Sequence, residues 1–216
     1  MTVAVPLVLA AIIRLYPNPR TDRAIRGTFA TLLVASEFVW LRLLYQAGWL
    51  WVGNVLPMQL CDWAAIAAVI TLIRPAQASY ELAYFWAFGG TLQALLTPDL
   101  AVDFSDMRFV IFFVFHSGVI AAVLYLTLGT RLRPIPASIP RVILWTLGYA
   151  AAALITNWLF GTNFGFLAAK PPIVSLLSYL GPWPFYIFEL VPVAFLLILI
   201  LYCPFFLADR LKQRRS

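Results

Sequence analysis

The chain has 216 residues, of which 63% are hydrophobic and 11% are charged, and its formal net charge is +6. Soluble domains carry about 45–50% apolar and about 25% charged residues, so this composition excludes an ordinary soluble protein and predicts a polytopic membrane protein. The basic residues form short clusters between apolar runs, as in membrane proteins, and this pattern excludes a nucleic-acid-binding groove. We therefore predict an all-α membrane helix bundle that forms one transmembrane domain over residues 1–216.

Seven apolar stretches follow one another along the chain, and polar turn signals separate them. The predicted helices lie at 3–16, 24–46, 56–73, 79–97, 107–128, 138–160 and 184–207. A span needs roughly 20 mostly apolar residues, so the first stretch is short. Its length indicates either a tilted helix or an assigned start codon that leaves out a few residues. Its first cation, Arg14, follows the apolar run, which excludes a cleaved signal peptide.

The cations predict how these helices are oriented. Cytoplasmic segments of membrane proteins carry an excess of Lys and Arg, and an N-terminus outside the membrane places most cations on the inner side. The inner cations would be Arg14, Arg20, Arg23, Arg26, Arg74, Arg131, Arg133, Arg141, Arg210, Lys212, Arg214 and Arg215. We therefore predict a seven-helix bundle with the N-terminus outside and the C-terminus cytoplasmic.

The longest predicted connection, 161–183, faces outside and is itself fairly apolar. Connections of this length in compact domains are often functional lids. An apolar segment at this position also fits a simple cap that lies in the membrane interface. The sequence leaves these two interpretations open.

Polar side chains from six predicted helices lie at similar depth in the outer half of the membrane. At a rise of about 1.5 Å per residue, Cys61 lies about 8 Å from the outer end of its helix and His116 about 14 Å from the outer end of its own. Intramembrane polar groups are costly and usually face the interior of the bundle, so we predict a polar cavity open towards the outer leaflet or the outer water. The layer consists of Glu37, Gln59, Cys61, Asp62, Gln93, His116 and Asn157, with Glu189 as a further candidate.

The thiol and the imidazole in this layer fit nucleophilic catalysis. A thiol needs a base or a cation to become a nucleophile, and His is the side chain that takes and gives protons near neutrality. Cys61 and His116 therefore fit a catalytic Cys–His pair, with Asp62 or Glu37 orienting the imidazole. The alternative is structural, because a membrane Cys is often a small apolar filler and a membrane His or Asp often bonds a neighbouring helix.

The remaining polar residues are candidates for substrate binding. Those candidates are Gln59, Gln93, Asn157, Glu37, Asn163 and Lys170. Gln93 and Asn157 also fit simple hydrogen bonds between helices. A single histidine among scattered aspartates lacks the spacing of a metal site, so we predict no metal and no cofactor.

Five blocks of sequence, taken together and in this order, resemble the YwaF-like integral membrane family of bacteria. They are LPMQLCDWAAI, YELAYFWAFGGTLQALLTPDL, RFVIFFVFHSGVI, GTNFGFLAAKPP and LGPWPFYI. That family is similar to a eukaryotic multi-pass acyltransferase that forms polyunsaturated ether phospholipids. The resemblance implies a bacterial plasma membrane protein that acts on membrane phospholipids through a thioester. The acyl-carrying cysteine would be Cys61, in the LCD motif, and the catalytic histidine would be His116.

The predicted function is thus a membrane-embedded lipid acyltransferase or transacylase with its site in the outer half of the bilayer. His116 would take the thiol proton, Cys61 would attack a phospholipid ester, and a lysophospholipid hydroxyl would resolve the thioester. Gln59, Gln93 or Asn157 would donate a hydrogen bond to the oxyanion. Lys170 or Arg108 would contact the phosphate. The alternatives are a transporter or lipid- or solute-binding protein with a polar outer cavity, or a structural or sensory seven-helix protein.

Overall fold

The computed structural model describes residues 2–130 and 132–214, so two of the predicted inner cations, Arg131 and Arg215, lie outside the described residues. Every regular element among the described residues is helical, which confirms the all-α prediction. A π-helical turn, Ala87–Thr91, joins α5 to α6, and two 3₁₀ turns, Phe164–Phe166 and Leu176–Tyr179, lie between α8 and α9. The α-helices are α1 Ala4–Leu15, α2 Pro19–Gln46, α3 Val52–Val55, α4 Leu60–Ile73, α5 Gln77–Trp86, α6 Leu92–Leu96, α7 Met107–Gly129, α8 Ser138–Phe160 and α9 Phe185–Gln213.

Five helical segments are long and apolar enough to cross a membrane, and they support a multi-pass membrane protein. Helix α1 is apolar but has only 12 residues, and the π turn divides the helix predicted at 79–97. The count of seven spans and the orientation of the termini therefore stay predictions. The five segments are Pro19–Gln46, Val52–Ile73, Met107–Gly129, Ser138–Phe160 and Phe185–Gln213.

Helix α2 begins at Pro19, five residues before the predicted start at 24. The Asn18 side chain accepts hydrogen bonds from the backbone N–H groups of Arg20 and Thr21, at 2.9 and 3.3 Å. Asn is a favoured N-cap, and Pro fits the first helical position because its φ angle is already helical. The charged stretch that the sequence predicted as a turn is therefore the first turn of the helix.

Helix α4 begins at Leu60, four residues after the predicted start at 56. Its N-cap is Gln59, whose backbone N–H donates to Asp62 Oδ2 at 2.9 Å. A carboxylate in the first turn is favoured by the partial positive charge of a helix N-terminus. The predicted depth of Cys61 is therefore wrong for this helix, since the residue lies in its first turn, about 1.5 Å from its start.

Paired charges connect the helices at one end of the bundle, which we call the Glu81 end; it comprises 14–26, 72–81, 125–130, 132–141 and 209. The Glu81 side chain is 1% exposed and accepts two hydrogen bonds from Arg141, at 2.9 and 2.6 Å. Gln77 donates to the same carboxylate at 2.7 Å and also to the backbone carbonyl of Arg133 at 2.8 Å. Arg133 in turn pairs with Asp209 at 2.6 and 3.0 Å. This network connects α5, α8 and α9.

A second group of contacts at the Glu81 end connects α2 to α4 and α7. Asp22 accepts a hydrogen bond from Tyr125 at 2.7 Å and pairs with Arg26 at 2.9 Å. Arg26 also donates to the carbonyl of Leu72, at 2.5 Å, in the last turn of α4. Cations are favoured there because the last carbonyls of a helix carry partial negative charge. Charge at this end therefore stabilises helix contacts and helix termini.

Candidate functional site

The candidate site is built around the first turn of α4, at what we call the Cys61 end of the bundle, which comprises 37–62, 97–108 and 157–189. The Cys61 Sγ lies 3.7 Å from Asp62 Oδ1, so the thiol donates to the carboxylate. The other carboxylate oxygen, Oδ2, accepts the backbone N–H of Gln59. Cys61 is half-buried, whereas the second free cysteine, Cys203, is exposed on α9. The helix start therefore holds a thiol and a carboxylate in direct contact.

A cavity of about 300 Å³ lies beside this turn, between α2, α4 and Phe115 of α7. Glu37 and Asp62 are the two charged residues in its wall, and the other lining residues are apolar. The rim residues Phe38 and Ile66 are 68% and 49% exposed. The cavity therefore opens sideways between α2 and α4, and it is far less polar than the cavity that the sequence predicted.

His116 is held rigidly on α7. It is 6% exposed, and its ring packs against Phe112 at 4.0 Å between centroids and against the edge of Phe115 at 5.3 Å. Its Nδ1 lies 2.8 Å from the Phe112 carbonyl oxygen. Because a carbonyl oxygen only accepts, Nδ1 carries the proton and Nε2 keeps its lone pair. The imidazole is therefore in the tautomer that acts as a base through Nε2.

Helix α7 borders the cavity through Phe115, the residue before His116. A Cβ atom on Gly118 would lie 3.0 Å from Leu33, and Leu33 lines the same cavity as Asp62 and Phe115. His116 lies between Phe115 and Gly118 in the chain. Neither Cys61 nor His116 is among the residues that line the cavity. Cys61 hydrogen-bonds Asp62, and His116 hydrogen-bonds the backbone of Phe112, so the Cys–His pair stays a prediction.

Tyr149 of α8 belongs to the same site, and the sequence analysis missed it. Its hydroxyl donates to the carbonyl of Met58, just before the start of α4, at 3.2 Å. Its ring packs edge-on against Trp63 at 5.4 Å. The only sequence signal was a tyrosine between a glycine and a run of alanines in the middle of an apolar helix.

The connection 161–183 covers the start of α4. The backbone N–H of Gly165 donates to the side-chain oxygen of Gln59 at 3.0 Å. Phe164 is fully buried, and its cluster packs against Met58 and Leu60. This part of the connection therefore covers the residues just before Cys61, and Gln59 is an attachment point for the cover.

Two predicted substrate ligands hold this cover in place. Asn157 donates to the Phe164 carbonyl at 3.0 Å and accepts from Thr162 at 2.9 Å and from the Phe164 N–H at 2.7 Å. Asn163 accepts from the backbone N–H groups of Ala168 and Ala169, both at 2.9 Å. Both amides are thus engaged within the connection, and neither lines the cavity.

The other predicted polar residues also lie away from the cavity. Lys170 donates to the Leu180 carbonyl at 2.6 Å, and Glu189 accepts the Gly181 N–H at 2.7 Å. Gln93 is half-buried on α6 and does not line the cavity. The predicted polar layer therefore divides into a small group at the cavity and a larger group that stabilises the fold.

Two chemical features bear on what the site can hold. Arg108, a predicted phosphate contact, pairs with Asp106 at 2.6 Å and lies over the Trp49 ring at 4.2 Å. This contact with Asp106 holds the pKa of that carboxyl down at about 2.

Among the described residues, no group of three or more His, Cys, Asp or Glu side chains is arranged to bind a metal ion.

Comparison with known proteins gives one match. The sequence model of the TMEM164 family matches residues 1–202. No curated protein and no solved structure matches the chain. The match covers all the residues of the candidate site and is consistent with a multi-pass membrane protein.

Proposed function

The chain belongs to the TMEM164 family, a family of multi-pass membrane proteins. We therefore propose that its site at the start of α4 acts on a membrane lipid. We propose that the protein is a lipid acyltransferase or transacylase that carries an acyl group as a thioester on Cys61. One observation carries this proposal. The thiol contacts a carboxylate at the wall of an apolar cavity that opens sideways between two helices.

The cavity suits a fatty acyl chain. Its volume of about 300 Å³ is at the lower end of the roughly 300–1,000 Å³ of small-molecule sites. Apart from Glu37 and Asp62 its wall is apolar, and burial of an acyl chain there gains about 0.8 kcal/mol per methylene. A phospholipid would enter between α2 and α4 with its acyl chain first and its ester close to the thiol.

The first half-reaction transfers the acyl group to the enzyme. The Nε2 atom of His116 takes the thiol proton, and the Cys61 thiolate attacks the carbonyl carbon of a phospholipid ester. The tetrahedral intermediate collapses, the ester C–O bond breaks, and the imidazolium returns the proton to the departing lysophospholipid oxygen. Asp62 lies in the cavity wall and accepts the hydrogen bond of the thiol, and its negative charge would stabilise the imidazolium.

The second half-reaction releases the acyl group. The hydroxyl of an acceptor lysophospholipid gives its proton to His116 Nε2 and attacks the thioester carbonyl. The C–S bond breaks, the new ester forms, and the proton returns to the Cys61 sulfur. The connection 161–183 keeps water away from the thioester, which prevents simple hydrolysis.

The test is a search for the acyl-enzyme. The purified protein in phospholipid nanodiscs is incubated with phosphatidylcholine labelled in its acyl chain, and the protein is then examined for a hydroxylamine-sensitive label. We expect a label in the wild type, no label in Cys61→Ser and a strongly reduced label in His116→Ala. Cys203→Ser is the matched control, because that thiol is exposed and lies on α9; this variant should label like the wild type.

The rival function is non-catalytic lipid or solute binding by the same cavity. Cys61 and His116 each form a hydrogen bond with another group and not with each other. This observation favours the non-catalytic function. A wild-type protein that binds labelled phospholipid but never forms the adduct would support binding or transport and would exclude the thioester mechanism.

A further inference from the structure

Thr91 carries a buried hydroxyl that has no hydrogen-bond partner among the described residues. Its side chain is 0% exposed. Threonines in helices normally donate to the carbonyl four residues earlier. Six other threonines within or at the end of helices do so here: Thr28, Thr71, Thr97, Thr127, Thr130 and Thr156.

The π turn explains why Thr91 differs from them. Thr91 is the last residue of the π turn Ala87–Thr91, and the Ala87 carbonyl, four residues before Thr91, accepts the N–H of Leu92. This bond spans five residues instead of four and shifts the carbonyl that Thr91 would otherwise use. π turns are rare and occur frequently at functional sites. The exception is therefore caused by the backbone, which leaves a donor free inside the protein.

The free hydroxyl lies between the helices that carry the proposed catalytic residues. The π turn packs against both α4 and α7. A Cβ atom on Gly90 would lie 2.8 Å from a methyl group of Leu60, so the backbone at Gly90 lies directly against the residue that precedes Cys61. Thr91 follows Gly90 in the chain, and His116 lies on α7. The π turn thus packs against the residue that precedes Cys61, between the helices that carry Cys61 and His116.

Of the three oxyanion donors predicted from sequence, Asn157 is occupied, because it donates its amide hydrogen to the Phe164 carbonyl. Gln59 accepts the Gly165 N–H through its side-chain oxygen, which ties this residue to the covering connection, and Gln93 lies on α6, beyond the π turn. We propose that the Thr91 hydroxyl donates a hydrogen bond to the carbonyl oxygen of the acyl group that is transferred to and from Cys61. The substrate thereby provides the acceptor that the resting protein lacks.

This role rests on the proposed function and defines one interaction within it. Negative charge develops on the acyl carbonyl oxygen in both half-reactions, and a donor already fixed in a dry site stabilises that charge without reorganisation. No bond to Thr91 forms or breaks, and its proton stays on the hydroxyl oxygen throughout. Thr91 is then an oxyanion donor for an acyl ester or thioester.

The test compares Thr91→Val with Thr91→Ser in the full-length protein. Val keeps the shape and removes the donor, so we expect kcat for acyl transfer to fall about 100-fold, as for loss of one oxyanion donor, with KM unchanged. The melting temperature of this variant should be unchanged or higher, because the lost hydroxyl has no partner to leave unpaired. Ser keeps the donor and should retain most of kcat.

The matched control is Thr71→Val on α4, whose hydroxyl is buried and donates to the Ala67 carbonyl at 2.8 Å. This control should lower the melting temperature and leave kcat unchanged. Wild-type kcat in Thr91→Val, equal losses in Thr91→Val and Thr91→Ser, or a Thr91→Val protein that fails to fold would each overturn the oxyanion role alone. A wild type without any acyl adduct would overturn the proposed function, and the role of Thr91 with it.

Discussion

The two ends of the bundle treat buried charge in opposite ways. At the Glu81 end, the buried carboxylate of Glu81 is bound by Arg141 and Gln77. At the Cys61 end, Glu37 and Asp62 share the wall of an apolar cavity. Neither forms an ion pair with any described residue, and Asp62 instead contacts a thiol and a helix N-terminus.

This difference separates structural polar groups from functional ones. A buried charge is costly unless a partner of opposite charge compensates it, and the Glu81 end satisfies that requirement. At the Cys61 end, Glu37 has no cation and adds little to folding, whereas Asp62 caps the start of α4. A chain keeps such groups where a reaction or a ligand needs them.

The largest expected effect on stability is at the Glu81 end. Glu81→Ala leaves Arg141 without its partner, and breaking a buried pair typically costs 3–5 kcal/mol. Arg141 is 45% exposed and regains water, so we expect a loss of about 2–3 kcal/mol in the free energy of unfolding, below that range. Chemical unfolding in detergent micelles measures it.

The matched variant for this experiment is Glu37→Ala at the Cys61 end. It removes a carboxylate that has no ion-pair partner among the described residues, so the free energy of unfolding should change by less than about 0.5 kcal/mol. Equal losses in Glu81→Ala and Glu37→Ala would remove the distinction between the two ends.

An intermediate effect on stability is expected at Asn157, which holds the covering connection in place at the Cys61 end. Asn157→Ala leaves the buried N–H and carbonyl of Phe164 without partners, and we expect a loss of about 1–3 kcal/mol. Hydrogen exchange should report faster opening of 161–167, with little change at the Glu81 end. Asn163→Ala is the control: its bonds are exposed, so exchange at 161–167 should change little in this variant. Unchanged exchange at 161–167 in Asn157→Ala would contradict the assignment.

The smallest effect is expected at the rim, where Asp106 pairs with Arg108 outside the spanning part of α7. Arg108 lowers the pKa of Asp106 to about 2. A lowered pKa means that the pair stabilises the fold above the ordinary Asp value of about 4, and that this contribution is lost as the pH falls towards 2. In Arg108→Met, an NMR titration of the carboxyl carbon should show the pKa of Asp106 rising towards its ordinary value; an unchanged pKa would exclude Arg108 as the cause.

The sequence predicted the helices whose boundaries depend on composition, and it failed where single contacts decide. Helices α7 and α8 were predicted to within one residue at either end. The start of α2 was missed because a cap by Asn18 outweighs a run of charges. The π turn at Ala87–Thr91 was missed because Gly89 and Gly90 weaken an α-helix without indicating that a π turn replaces it.

The candidate site was predictable in the same partial way. Cys61 and Asp62 are neighbours in the chain, so their contact follows from one helical turn, whereas residue counting does not determine how far His116 lies from that turn. Tyr149 and Thr91 come from other helices, and their side-chain directions depend on how those helices pack. Asn157 and Asn163 were predicted as substrate ligands because depth in the membrane does not show which neighbour a side chain bonds.

Because the cavity opens sideways, the amount of lipid in the surrounding bilayer determines how often the cavity is occupied. The connection 161–183 covers the start of α4, while the exposed rim residues Phe38 and Ile66 face the side of the bundle. A lipid that enters by this route diffuses in two dimensions, so the relevant quantity is its mole fraction in the bilayer rather than its molarity. Diluting a phospholipid substrate with an inert lipid should therefore slow the protein as much as removing substrate, whatever the volume of the sample.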